Sequence, residues 1–336
     1  MTEENQQSKS SNSGTGSAKK IISWVAIILA AILALILVLG LVPVSTDQLD
    51  SNPDPAANYD EAIQRFETIQ QEEASIVNDA SGSLMMTHGE PTDEVYVLVH
   101  GTTNSPRQWE ELGNTLYEQD HNVLILRMPD HGLKSHDVSE LKALRAEDLR
   151  DYADQAIDLA TGLGDQITVI GISGGGAVTT WIAQHRPEAD RIVALSPFYG
   201  VPEIPSFLNT FLMNLASRVP NVTLQNPEEP QRDWVYRGEA TRGVAEFMRL
   251  GRNVFAAAEN ETPVVKETYF ITTAVDDTAD NDYTVDLATT WTEAGADVSW
   301  FEFDTSYDIP HNSVDPAADP EKKALVYDKI LEMLGE

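Results

Sequence analysis

Residues 167–186, ITVIGISGGGAVTTWIAQHR, constrain this chain more than any other stretch. Ile167 to Ile170 form a short run that reads as a buried strand, and Ala177 to His185 read as a helix. Between them lies Gly171-Ile172-Ser173-Gly174-Gly175, a GxSxG pattern. A strand that turns directly into a helix strains the backbone at the turn. It also brings the helix close to the strand, so small residues are needed on both sides. A serine at such a turn is presented as a nucleophile elbow.

The flanking sequence repeats a strand–helix rhythm. Ser83 to Thr87 read as an edge strand, Glu94 to Val99 as a stronger one, and Asn122 to Met128 as the next. Helices are expected over 59–78, 107–120 and 146–160. After the elbow come a strand at Arg191 to Leu195, another at Thr268 to Thr272, a helix from Asp286 to Glu293, a strand at Val298 to Phe303 and a last amphipathic helix over 320–334. Alternation at this spacing implies an α/β fold with a doubly wound, mostly parallel sheet. The rhythm breaks over 201–262, where Phe207, Leu208, Phe211, Leu212, Leu215, Phe247, Leu250 and Phe255 follow helical spacing around a Pro- and Asn-rich middle. That segment reads as an inserted helical cap.

If Ser173 is a nucleophile, it needs a base and an acid; the elbow resembles that of α/β-hydrolases, and the resemblance implies that they follow it in the order acid, then His. Two histidines lie downstream of Ser173. His185 sits in the helix after the elbow, whereas His311 sits in a loop, DIPHNS, after the last strand; His311 is therefore the candidate base. The acid is sought at the end of the preceding strand, TTAVDDT. Asp277 is the first choice, Asp276 the alternative and Asp280 a distant third, because adjacent residues there point in different directions. Two backbone N–H groups are expected to form the oxyanion hole: that of Gly174, and that of Thr102, or else Thr103, in the loop after the VYVLV strand. His100 is expected to shape that loop through hydrogen bonds, and His131 is given a similar structural reading.

These motifs resemble the α/β-hydrolase superfamily, notably its serine carboxylesterases and monoacylglycerol lipases. HGTTNSPRQWEELG is similar to their oxyanion loop and first helix, and RMPDHG to a strand end in the same enzymes. Asp130 stands where Gly is usual, and Thr102 where a bulky aromatic is common. The resemblance covers roughly residues 90–334 and implies a Ser-Asp-His hydrolase that cleaves carboxylic esters through an acyl-enzyme. Short- to medium-chain esters are expected. The alternatives are a membrane-anchored monoacylglycerol lipase, a serine peptidase, or a non-catalytic binding protein that retains the fold. Dehalogenases and epoxide hydrolases would carry Asp where Ser173 stands.

The N-terminal part lies outside that resemblance. Residues 21–44 carry no charge and are long enough to span a bilayer as a transmembrane helix. Lys9, Lys19 and Lys20 precede the span, and Asp47, Asp50 and Asp54 follow it. The positive-inside rule then places the N-terminus in the cytoplasm and the large domain outside the cell membrane. The expected organisation is a disordered polar tail (1–20), the span (21–44), a tether and helix (45–80), the first part of the core (81–200), the cap (201–262) and the second part of the core (263–336). The net charge of −32, from 54 acidic and 22 basic residues, would repel nucleic acid. The chain has no cysteine, which excludes disulfides and thiolate chemistry. No cofactor and no metal are expected, since neither a P-loop nor a zinc-binding pattern is present. The expected partners are a small ester or lipid substrate and, through 21–44, the membrane.

Overall fold

The computed structural model describes residues 14–228 and 230–336. Helix α1 (Gly14–Leu41) carries the apolar run and begins inside the stretch expected to be a disordered tail. Once the aliphatic residues form a helix, adding neighbours costs little, so the helix extends back through Lys20 and Lys19. The rest of that expected tail, residues 1–13, lies outside the described residues.

The tether expected after the span is pinned along its length. Leu49 is fully buried, and its carbonyl accepts the indole N–H of Trp181 at 2.9 Å. Arg249 donates to the Ser45 carbonyl, and Arg150 to those of Gln48 and Asp50. Asp154 takes the Ser51 hydroxyl and the Asn52 N–H, and Asp158 takes the Asp54 N–H. With its carbonyls and amides satisfied by the body of the protein, the segment packs against it. Helix α2 (Tyr59–Glu73) follows, with Asn58 accepting the Glu61 N–H as its N-cap. It ends earlier than the sequence pattern indicated, because Val77 pairs with Leu133 in an isolated bridge.

The core then runs β1 (Leu84–Met86), β2 (Thr92–Val99), α3 (Glu110–Glu118), β3 (Asn122–Ile125), α4 (Ala146–Ala160), β4 (Gly164–Ile172), α5 (Gly174–His185) and β5 (Arg191–Leu195). The insertion holds α6 (Ser206–Ala216), β6 (Thr223–Gln225), β7 (Gly238–Ala240) and α7 (Thr241–Ala258). β8 (Glu267–Thr273), α8 (Asn281–Glu293), β9 (Val298–Phe303) and α9 (Pro320–Leu334) complete the chain. Seven strands form one sheet in the order β1-β3-β2-β4-β5-β8-β9, with β1 antiparallel and the others parallel. One face is covered by a cluster that includes Leu149, Ile157, Trp181 and Ile182 of α4 and α5. The other is covered by Trp109 together with Leu112, Val326 and Ile330 of α3 and α9. The sheet is thus wound on both sides.

The insertion, expected as a helical cap around a Pro- and Asn-rich middle, holds the helices α6 and α7. Its Pro-rich middle forms a short antiparallel hairpin, β6 with β7, and α7 lies against the core with Phe247, Leu250 and Val254 buried. Proline and asparagine disfavour a helical interior, and the middle takes the extended alternative.

From β2 the chain moves to β3 on one side and then to β4 on the other. The C-terminal ends of β2 and β4 are therefore neighbours where the winding reverses, with Val99 paired to Gly171. A crevice at such a reversal is the usual ligand position in an open α/β sheet.

Candidate active site

Ser173 stands at this crevice with φ 57° and ψ −122°, a conformation that L-residues rarely adopt. The strain is held from both sides. The Ser173 N–H donates to the Leu195 carbonyl at 2.9 Å, and its own carbonyl accepts the N–H groups of Phe198 and Ala177. The neighbouring glycines are required by close approach. A Cβ on Gly171 would lie 2.2 Å from Thr179 Oγ1, and one on Gly175 would lie 2.4 Å from the carbonyl oxygens of Val99 and His100. Gly171 is thus required by the packing of β4 against α5, and Gly175 by the packing of α5 against the end of β2, with the serine between them.

The loop after β2 lies beside the serine. The Asn104 N–H closes a turn onto the Gly101 carbonyl, and Gln108 Oε1 accepts the Gly101 N–H at 2.7 Å. Thr102 occupies the second position of that turn, whose N–H the turn's own bond does not use. Thr103 follows it with φ 68°. The Thr102 hydroxyl lies 2.3 Å from where a Cβ on Gly174 would stand, so Thr102 and Gly174 adjoin. Gly174 opens α5, where a backbone N–H has no carbonyl one turn earlier within the helix.

His311 comes from the loop after β9. Its Nδ1 lies 2.8 Å from Asp276 Oδ2, with the side chain of Asp276 wholly out of solvent. Asp276 Oδ1 accepts the N–H groups of Thr278 and Ala279, each at 2.9 Å. Burial pushes the Asp276 carboxyl up, but the hydrogen bond and charge of His311 and the two amides outweigh it, and the net shift is downward. The carboxylate therefore stays ionised and accepts the proton on Nδ1, which leaves Nε2 as the acceptor. His311 Nε2 is buried and has no hydrogen-bond partner among the described residues. The carboxylate that meets His311 is therefore not Asp277, the first choice from the sequence. The Asp276 N–H bonds the Thr273 carbonyl, and this turn directs Asp276 inward and its neighbour outward. Asp277 is exposed and, among the described residues, accepts the Thr278 hydroxyl alone, at 3.1 Å, while Asp280 caps α8 through the Asp282 N–H.

Two buried polar residues that the sequence reading passed over, Asn104 and Asp315, tie these loops together. Asn104 donates to Asp315 Oδ2 at 2.9 Å, and the Trp234 indole N–H approaches the same oxygen at 3.4 Å. One buried carboxylate thereby links the Thr102 loop, the insertion and the His311 loop. Thr273 bonds the Ile309 carbonyl at 2.7 Å, fixing the His311 loop to the end of β8. No local pattern marks Asn104 or Asp315, since each acts on a distant segment. His100 takes the structural part expected of it. Its Nε2 accepts the Met128 N–H at 3.0 Å and its Nδ1 donates to the Gly101 carbonyl at 2.9 Å. Burial, together with the nearby His131, holds it well below the usual imidazole range. Burial also takes His131 down to about 4, so both rings are neutral near pH 7.

Ser173 and His311 open on one cavity of about 600 Å³, whose walls include Leu212, Met213, Val219, Val244 and Met248. A second cavity, of about 540 Å³, shares Thr103, Leu224, Glu239 and Asn312 with the first. Glu239 at this junction is half-buried as a residue, but its Oε2 is out of solvent and unpartnered among the described residues. Burial alone raises its carboxyl to about 8 from an ordinary 4.5. The folded state thus holds a proton that the unfolded chain releases, and stability falls as pH rises between these values. Glu239→Gln is expected to remove that fall. In paired thermal melts, Tm should rise by a few degrees over the parent at pH 9 and match it near pH 4. Equal melts at both pH values would place the carboxylate in open water.

Glu94, His121 and Glu336 also lie within reach of one metal ion, near the start of β2 and away from this cavity. Glu94 already holds the Arg191 guanidinium and the Thr168 hydroxyl, so a protein cation serves that cluster.

The family model described as "Alpha/beta hydrolase family" matches residues 96–321, more than half of the chain. A thermostable monoacylglycerol lipase from Bacillus sp. (strain H-257) is 25% identical over 114 residues. That alignment takes in 32% of this chain and 42% of the relative, so the chain spans less than half the length of the curated relative it matches. A Paleococcus ferrophilus monoacylglycerol lipase superposes with a TM-score of 0.59 at 18% identity, covering 75% of this chain and 97% of that one. A structure from work on LipS and LipT, two metagenome-derived lipolytic enzymes, superposes with a TM-score of 0.57 at 17% identity, covering 76% and 98%. At these identities the solved structures establish the shared fold.

Proposed function

The chain belongs to the alpha/beta hydrolase family, and on that footing we propose that it is a serine hydrolase of small- to medium-chain carboxylic esters. The observation that carries this reading is the convergence of a strained Ser173 and a His311–Asp276 pair on one apolar cavity. Ser173 Oγ attacks the ester carbonyl carbon while His311 Nε2 takes its proton. The carbonyl oxygen becomes an oxyanion facing the N–H groups of Gly174 and Thr102. The intermediate collapses, the C–O bond to the alcohol breaks, and His311 returns the proton to the departing oxygen. Water then adds to the acyl-enzyme by the same steps and releases the acid. Asp276 holds the Nδ1–H tautomer and balances the imidazolium charge.

The acyl group lies among Leu212, Met213, Val219 and Met248 and gains about 0.8 kcal/mol per buried CH₂ until the cavity is filled. The polar Thr102 side chain beside the oxyanion site adds nothing to a long apolar channel. kcat/KM across a chain-length series of esters below their micelle limits is expected to peak at ~C4–C8. A monotonic rise through C12–C16 would replace this reading with a monoacylglycerol lipase. That second reading is favoured by the adjoining cavity at Asn312 and Glu239, which offers room for a polar leaving group, and by the curated relative's activity. Cleavage of aminoacyl amides with no ester turnover would make the chain a peptidase.

Lys19–Leu41 of α1 is long and apolar enough to cross a membrane, and its apolar window is wholly exposed. We read it as a single-pass anchor. Lys19 and Lys20 at its N-terminal end and Asp47, Asp50 and Asp54 after it support a cytoplasmic N-terminus with the hydrolase domain outside.

A further inference from the structure

An exposed apolar helix end joined to a domain by a slack linker would leave that domain free to tumble. Here the end of α1 is clamped. Arg218, just past α6, donates to the carbonyls of Leu39, Val42 and Pro43 at 2.8, 2.6 and 2.8 Å. Asn214 of α6 is buried, donates to the Gly40 carbonyl at 3.0 Å and accepts the Val44 N–H at 3.0 Å. These bonds satisfy the C-terminal carbonyls that a helix leaves open. Gly40 meets the Phe211 ring so closely that a Cβ would stand 2.2 Å from Cε2. The following residues, 45–54, are pinned to α4, α5 and α7 as described above. α1 and α6 therefore move as one piece with the core.

The surface around this clamp is apolar. Phe207 is 76% exposed, and Leu208 and Leu212 on the same helix are also open, as are Val201, Val222 and Leu224 nearby. Leu212, Val201, Val222 and Leu224 also line the cavity that holds Ser173. The same side chains thus form its apolar rim and part of its wall. A contiguous exposed apolar patch marks an interaction site. Its occupant is indicated by the helix that leaves from it, whose exposed surface is uncharged from Ile21 to Leu41.

We propose that α1 and α6 form one membrane-docking unit that sets the rim of the catalytic cavity into the outer face of the bilayer, so that an acyl substrate enters from the lipid. The inference rests on α1 being a membrane anchor. The contact is apolar, since a chain of net charge −32 gains nothing from anionic headgroups.

The natural chain has no cysteine, so a single one can be labelled cleanly. The full chain carrying Phe207→Cys, labelled with an environment-sensitive fluorophore, is reconstituted into phosphatidylcholine vesicles containing spin-labelled lipid. The same label at the exposed Glu118→Cys on α3 serves as the control. The label at 207 is expected to shift to the blue and to be quenched by the lipid spin label, while that at 118 stays in water. A chain that floats with the vesicles but keeps the 207 label in water overturns this inference and leaves the anchor reading standing. A chain that does not float overturns the anchor reading and this inference with it. Arg218→Ala provides a second readout. Turnover of a long-chain monoacyl ester in vesicles is expected to fall roughly tenfold, while that of a water-soluble butyrate ester stays at the parent level. Equal retention of both activities would show that the clamp does not orient the cavity.

Discussion

Ser173→Ala is expected to lower ester turnover by roughly 10⁴-fold or more and to abolish covalent labelling by a fluorophosphonate. The substitution deletes one oxygen and leaves the elbow in place. The Ser173 N–H and carbonyl bonds to Leu195, Phe198 and Ala177 are made by the backbone, which Ala retains. Ala also keeps the Cβ that φ 57° disfavours, so the local strain is unchanged. A folded, inactive protein is therefore the expected product, checked by thermal melting together with intact-mass labelling. The residual rate measures what the N–H groups of Gly174 and Thr102 achieve with water as the attacking group. Labelling that persists in the variant at another serine would reject Ser173 as the nucleophile.

Asp276→Asn is expected to lower kcat by up to about 10⁴-fold, whereas Asp277→Asn stays close to the parent. The amide still accepts from Thr278 and Ala279 through its oxygen, but it then turns its NH₂ toward His311. It can no longer accept the proton on Nδ1, so the ring takes the tautomer with the proton on Nε2 and loses its capacity as a base toward Ser173. Asp277 is exposed at the edge of the cavity and, among the described residues, hydrogen-bonds the Thr278 hydroxyl and not His311, so its change leaves the His311–Asp276 contact intact. His311→Ala should match the loss in Ser173→Ala, and the double variant should be no worse than either single one, since the two residues act as a unit. Steady-state kinetics on a soluble ester decides the matter. A crippled Asp277→Asn beside an active Asp276→Asn would reverse the assignment.

The sequence determined what depends on residues a few positions apart. The GxSxG elbow was legible because Gly171 is required by the contact of one strand with the helix that follows it directly, although the neighbour that requires Gly175, the end of β2, is distant in the chain. Most elements of the sheet and their helices were legible from their apolar periodicity, and so was the position of His311 in the loop after the last strand. Only the tertiary structure decided which carboxylate faces His311. The two side chains lie 35 positions apart, and their meeting depends on which way the turn after Thr273 points a single residue. The same limit hid the grip of Arg218 and Asn214 on α1, the burial of Leu49 beneath Trp181, and the link from Asp315 to Asn104. A side chain's type states what it can bond, but which distant backbone group it meets is set by the packing of whole elements, and no window of neighbouring residues encodes that.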